Sequence, residues 1–433
     1  MKGDPPQPPA SASRRVPRSQ PSAVGACILL ALALAAAAPA PPDEWTRFRG
    51  PNGSGVGHAE NLPVTWTEKD YNWRIALPGV GHSSPVLWGG RIFLTSGDPK
   101  TARRFVLCLR AADGATLWQR DYESKKQEMN PANSYGTSTP AVDGERVYAY
   151  WTTPDEITLL ALTHDGKDAW RRHLGPYAAE HGSGTSPIVF DNFVILANDQ
   201  DGRSTLVALD RKTGKTAWEI ERKDSGVEYR ASYSTPMVHQ PEGGAPQILF
   251  TSKAQGITAV DPAAGKVVWE LREAFPGRCV SSPILAAGLI IASFGSGEEG
   301  QQVTAVRPPS KDQPAKIAWT FDKSPPFAPT AIAKDDLVFL WGDGGCVTCL
   351  RAATGEQVWR QRVGSNFLGS PIRVGGRLYC MSQQGAVFVV AASDKFELLA
   401  RNPLGEPSHA TPAVAGGVLY LRTFSHLISI GGR

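Results

Sequence analysis

No part of the sequence concentrates charge of one sign. Across 433 residues, 45 lysines and arginines face 41 aspartates and glutamates, a net charge of +4. No basic run extends beyond the group Arg14, Arg15 and Arg18. A nucleic-acid surface needs a basic stripe or patch, so no nucleic-acid partner is expected. Long hydrophobic runs are equally scarce. Val24 to Ala38 is apolar over about fifteen residues, short of the ~20 that a membrane-spanning helix needs. With the arginines before it and small residues near 36–40, it reads as a signal peptide over residues 1–40. The expected location is periplasmic or secreted, with no transmembrane segment after cleavage and a membrane anchor if the signal is retained. Cys27 stands at the start of the apolar run, not at its end where a lipid-bearing cysteine belongs, so no lipid anchor is expected.

Cysteine is sparse too. Beyond Cys27 there are Cys108, Cys279, Cys346, Cys349 and Cys380, an odd number that makes no complete disulfide framework. Cys346 and Cys349 have the spacing of a redox or metal pair. On an extended strand, however, residues three apart stand about 10 Å from each other, beyond disulfide reach. No histidine follows Cys349, which excludes covalent haem attachment. Also missing are the Gly-x-Ser-x-Gly elbow of a hydrolase and the Gly-Lys-Ser/Thr of a phosphate loop.

What the chain does have is glycine (44), proline (35) and a repeat. "CLRAADGATLW", "ALDRKTGKTAW" and "CLRAATGEQVW" end at Trp118, Trp218 and Trp359, and related copies end at Trp170, Trp269 and Trp319. In a seventh copy Leu399 stands in the tryptophan position. A second landmark is a small or hydroxyl residue beside a proline that opens an apolar strand, at Pro85, Pro140, Pro187, Pro236, Pro283, Pro329, Pro371 and Pro412. Turn glycines precede short alternating runs such as "RVYAYW", the pattern of β-hairpins. Four short strands fit each unit of about 45 residues, and such a unit repeated around an axis is a β-propeller.

The eighth copy ends before its last strand, while Trp73 in "YNWRIAL" precedes the first proline. The expected fold is therefore all-β: an eight-bladed propeller of four-stranded antiparallel blades over residues 65–433, its last blade completed by the N-terminal strand that carries Trp73. Residues 41–64 form an arm lying on the ring. The tryptophans are expected to fill the gaps between twisted blades. Cys108 and Cys349 share a slot with Ala208 and Ala259, a small residue on a buried strand face.

The eleven-residue motif closely resembles the tryptophan docking motif of the pyrroloquinoline-quinone-type (PQQ) propeller repeat, in all eight copies. The arm "WTRFRGPNGSGVG" and the stretch "LPGVGHSSPVLWGGRIFLTS" look like an exported bacterial branch of that superfamily. The resemblance implies one of two classes. Quinoprotein dehydrogenases carry the quinone and a calcium ion on the propeller axis, and many close a disulfide between adjacent cysteines over it. Non-catalytic members, an outer-membrane assembly lipoprotein among them, use the propeller as a binding platform. This chain has no adjacent cysteines and no long insertions to build a substrate lid, so the expectation is a monomeric, non-catalytic scaffold for a protein or polymer partner. PQQ and calcium are not expected from its residues, and a PQQ-dependent alcohol or sugar dehydrogenase is the alternative.

Loops before the strand-opening prolines should rim the axis. They offer His82, Tyr135, His181, Arg230, Tyr233, Arg278, Asn366 and His409, with Glu180 and Glu228 as the acidic members. That basic and aromatic rim suits an anion better than a metal, and its residues can equally bond loop carbonyls and hold the blade ends. "NDQDGRS" at 198–204 has the alternating oxygens of a calcium loop but lacks the glutamate at its twelfth position. It falls where a hairpin turn is expected.

Overall fold

The computed structural model describes residues 44–59, 61–223, 226–295 and 300–432. The segment read as a signal peptide lies outside them. Eight sheets are present, each with four antiparallel strands. The first blade runs outward from the axis through Val86–Trp88, Arg91–Gly97, Arg104–Arg110 and Thr116–Tyr122. Ala413–Ala415, Val418–Arg422 and His426–Gly431 make three strands of the eighth blade, and Tyr71–Ala76 supplies the fourth, with Trp73 opposite Ser429. The ring thus closes as the sequence leads one to expect. Middle strands such as Val194–Asn198 within Phe193–Asn198 are buried on both faces because a neighbouring blade covers each side, whereas outer strands alternate with solvent. Among the described residues no helix is long and apolar enough to cross a membrane.

The repeat motif encodes the seams. Each of Trp118, Trp170, Trp218, Trp269, Trp319 and Trp359 stands across its strand pair from a small residue: Cys108, Ala161, Ala208, Ala259, Ala305 and Cys349. All five described cysteines are free. The indole N–H then crosses to the next blade's turn. Trp118 donates to the His164 carbonyl at 2.7 Å, Trp170 to Arg211 at 3.0 Å and Trp218 to Pro262 at 2.8 Å. Trp319, Trp359 and Trp73 do the same to Ala352, Ser393 and Ala111. Glycine in that turn has two reasons. Gly214 takes φ +69°, and a Cβ there would lie 2.6 Å from the Trp170 ring, so a side chain would push the blades apart.

Two seams depart from the rule. Trp269 bonds Gln247 of its own blade instead, because the next turn, "RPPSKDQPAK", has no glycine to admit the ring. In the seventh blade the register places Ala400 opposite Val389, so Ala400, not Leu399, holds the tryptophan position. Its neighbour, the eighth blade, is closed by two separate chain segments and has no turn there to receive an indole. Trp66 is buried in the cluster that Leu399 and Ala400 pack against, and Asn402 holds its backbone N–H at 3.1 Å.

Proline opens seven inner strands. In the sixth blade the position belongs to Ala331, immediately before Ile332–Lys334, and not to Pro329. The residue before this position is serine or threonine in every blade, and the backbone N–H of one donates to the hydroxyl of the next. The links run Ser84 to Thr139, Thr139 to Ser186, Thr235 to Ser282, Ser282 to Thr330, Thr330 to Ser370 and Ser370 to Thr411, all at 2.9–3.0 Å. These residues form a hydroxyl belt around the axis.

Candidate functional site: the axial cavity

The belt divides the channel. On the side where inner strands run to their hairpins, the channel is filled by the chain's own arm, which enters the axis instead of lying on the ring. Trp45 exchanges both backbone bonds with Leu87 of the first blade, and Thr46 accepts from Val142 of the second. Arg47 bonds the Pro236 carbonyl and Asn52 brackets Val238, both in the fourth blade. Arg49 reaches the carbonyls of Thr330 (2.8 Å) and Ala331 (2.9 Å) in the sixth. Val56–Gly57 then adds a parallel fifth strand to the seventh blade's Ile372–Val374. The arm turns sharply at Gly50, where a Cβ would lie 2.5 Å from the Trp45 ring.

On the other side of the belt lies a cavity of about 350 Å³. Its floor includes Phe48 of the arm, seven belt hydroxyls surround it, and Phe327 and Leu368 supply apolar wall. Asp343 positions that wall by accepting the backbone N–H groups of Phe327 and Ala328. The loop between the first and second blades reaches across to the eighth, where the Ala132 carbonyl meets His409 Nδ1 at 3.2 Å.

Five of the eight rim residues meet here: His82, His181, Tyr233, Arg278 and His409. The rings of His82 and His409 are 4.6 Å apart, and Phe424 stands 5.0 Å from His82. Burial, with the His409 and Arg422 charges adding to it, pushes the His82 pKa down to about 3. Burial also lowers that of His409. Both rings are therefore neutral at pH 7 and cannot supply the positive charge that the sequence suggested. The charge resides on Arg278. Its Nη2 and His181 Nε2 both approach one oxygen of Glu180 at 3.3 Å.

The other three are turned elsewhere. Tyr135 lies under the Arg104 guanidinium, 4.4 Å from ring centre to Cζ, in a separate crevice that Tyr150 and Ser183 also line. Arg230 is drawn to the carbonyls of Asp201 and Gly202, and its N–H to the Asp201 carboxylate. Asn366 pairs by its backbone with Gln383 and Gln384. The same contacts explain "NDQDGRS": Asp199 is ion-paired with buried Arg222 at 3.0 Å and Asp201 serves Arg230, so these oxygens do not converge on an ion.

A quinone with calcium needs several converging oxygen ligands. The carboxylates bonded to cavity residues are Glu180, taken by Arg278 and His181, and Asp343, taken by the Phe327 and Ala328 N–H groups. Among the described residues no cluster of three or more His, Cys, Asp or Glu could hold a metal ion. This donor set does not fit that pair. Phe48, the belt, Asp343 and Leu368 escaped sequence reasoning as site residues. For the belt a signal was present, the serine or threonine beside each landmark proline.

A family model described as outer membrane protein assembly factor BamB matches residues 64–308 and 299–426, leaving the arm from Trp45 to Gly57 outside the match. The chain is 21% identical over 350 residues to outer membrane protein assembly factor BamB of Yersinia pestis, covering 79% of this chain and 72% of that protein. Among solved structures, BamB from Moraxella catarrhalis superposes with a TM-score of 0.57 at 16% identity, over 82% of this chain and 95% of that one. Quinohemoprotein alcohol dehydrogenase from Comamonas testosteroni gives 0.66 at 14% identity, over 90% and 80%. At these identities the likeness to solved structures is one of fold.

Proposed function

The chain belongs to the PQQ-type propeller family whose model is described as outer membrane protein assembly factor BamB, and from that premise we propose a non-catalytic, exported, monomeric scaffold. It holds a protein or polymer partner at the open end of its axis, in the periplasm or at the outer membrane. The observation that carries this reading is the division of the channel. An arm outside the family match seals one end, and the other keeps a preformed cavity with an apolar wall and a hydroxyl belt. Preformed concave sites of this size and lining are the usual places for recognition. The curated relative named for outer-membrane assembly supports a protein partner.

The likeness to a quinohemoprotein alcohol dehydrogenase favours the alternative of a quinone on the axis. The carboxylates that such a site would use are bonded to Arg278, His181 and the wall loop. Two assays separate the readings. A photo-crosslinking residue at Ala132, on the mouth, should trap a discrete envelope partner, while one at the hairpin glycine Gly89 should not. After incubation with PQQ and calcium, the protein should show neither bound quinone absorbance nor alcohol-dependent dye reduction. Dye reduction that saturates with quinone would overturn the scaffold reading.

A further inference from the structure

Buried positive charge gathers around this axis without matching carboxylates. Arg47, Arg49 and Arg422 are at most 5% exposed. Among the described residues none of them forms an ion pair; each is held by main-chain carbonyls. Arg47 takes Pro236, next to cavity-lining Thr235; Arg49 takes Thr330, itself in the belt; Arg422 takes Ser83 and Thr95, next to His82. Burial lowers all three pKa values to about 9, which leaves them protonated at pH 7. A buried cation without a counter-charge is costly. The three place positive charge beside residues that line or adjoin the cavity, with the Asp343 carboxylate behind the apolar wall on the backbone N–H groups of Phe327 and Ala328.

Arg278 adds a fourth guanidinium on the cavity wall itself. Its side chain is 12% exposed, and its Nε is buried without a partner. The carboxylate it does meet, Glu180, is 53% exposed and shares one oxygen between Arg278 and His181 at 3.3 Å. Charge-assisted bonds of this type close to about 2.7–2.9 Å when well made. Glu180 thus marks where a carboxylate is accepted while holding the place loosely.

Resting on the reading that the open end is the binding end, we propose that the cavity binds an apolar group ending in a carboxylate. The carboxylate replaces Glu180 on Arg278, and the apolar body packs against Phe48, Phe327 and Leu368. Two sources share that chemistry: the C-terminal residue of a partner chain, and a free small carboxylic acid.

Isothermal titration of the intact protein with N-acetylphenylalanine, its uncharged amide and phenylacetate tests this. At least one acid should bind one-to-one, and the amide should bind roughly tenfold or more weakly, the loss expected for one charge-assisted bond. Arg278→Gln should weaken the acid by a similar factor with an unchanged melting temperature. Glu180→Gln should tighten it by removing the competing carboxylate, an effect a purely structural Glu180 would not produce. Tighter binding of N-acetylphenylalanine than of phenylacetate assigns the site to a chain terminus, and the reverse to a free acid. Equal binding of acid and amide, no binding of either acid, or indifference to Arg278→Gln overturns the proposal. If the acids fail while a partner still crosslinks at Ala132, the inference falls and the scaffold reading stands. If they bind while the partner crosslinks elsewhere, the scaffold reading falls and the inference stands.

Discussion

The two ends of the axial channel differ in what makes and fills them: inner strands packed around the arm at one, the loops that lead into those strands set around a cavity at the other. At the hairpin end, Trp45, Arg47, Arg49 and Asn52 bond the backbones of blades far apart in sequence. That half behaves as a core: the side chains of Trp45 and Arg49 are buried, the Trp45 backbone pairs with Leu87 and the Arg49 guanidinium is held by main-chain carbonyls. At the mouth, the side chains pair loosely with one another, as Glu180 does with Arg278 and His181, and space is left between them. A closed ring needs only one such plug to tie its blades together. The second half then keeps open space.

The largest effect should come from the plug. Trp45→Ala removes a large, fully buried side chain and should cost ~3–5 kcal/mol in urea unfolding. An unchanged midpoint would break the contrast at once, because the arm would then lie outside the channel in solution. Arg49→Met should come next. It leaves the Thr330 and Ala331 carbonyls dry, and an orphaned buried polar group costs roughly 1–3 kcal/mol.

The third expectation is a pH dependence that His82 contributes at the mouth. The folded His82 pKa is about 3 against about 6.5 unfolded. Below 6.5 the unfolded chain takes up a proton that the folded one refuses, so this histidine lowers stability as pH falls toward 3. At pH 5.5 the loss is about 1.4 kcal/mol. His82→Gln should remove that component of the pH–stability curve, and Arg49→Met should leave the slope as it is. Coincident slopes for wild type and His82→Gln would count against a buried, neutral ring. The smallest effect belongs to Arg278→Gln, expected within about 0.5 kcal/mol of wild type, since its partner Glu180 is half exposed. A large loss would make Arg278 a strut of the ring like Arg49.

Much of the fold could be read from the residues because each seam is encoded by the same short motif used twice. One window carries a tryptophan, the small residue across from it and the turn glycine that receives the preceding blade's indole, so Trp73, which needs only the first blade's turn, could be placed in the last blade. The exceptions follow neighbours that a window does not contain. Trp269 lacks a glycine in the following blade, and Ala400 faces a blade with no covalent turn. The arm was harder still. Nothing periodic ties "FRGPNGSGVG" to an axis, and its partners Leu87, Val238, Thr330 and Arg373 are spread over the ring. Counting back from each strand-opening residue finds the correct end of the channel but not the direction of a side chain. His82, Tyr233 and Arg278 turned inward, while local partners took Tyr135 to Arg104 and Arg230 to Asp201.

Native-state hydrogen exchange on the intact protein tests the divided channel most directly, because it reads both halves in one sample. The Trp45 amide is bonded to the Leu87 carbonyl of the first blade, and those of Gly53 and Gly55 to carbonyls within the plug; all three should exchange only with global unfolding, as slowly as middle-strand amides. Those of the mouth loop around Asn130 and Ala132 should exchange by local opening, orders of magnitude faster. Fast exchange at Trp45, Gly53 and Gly55, equal to that of the mouth loop, would contradict the account.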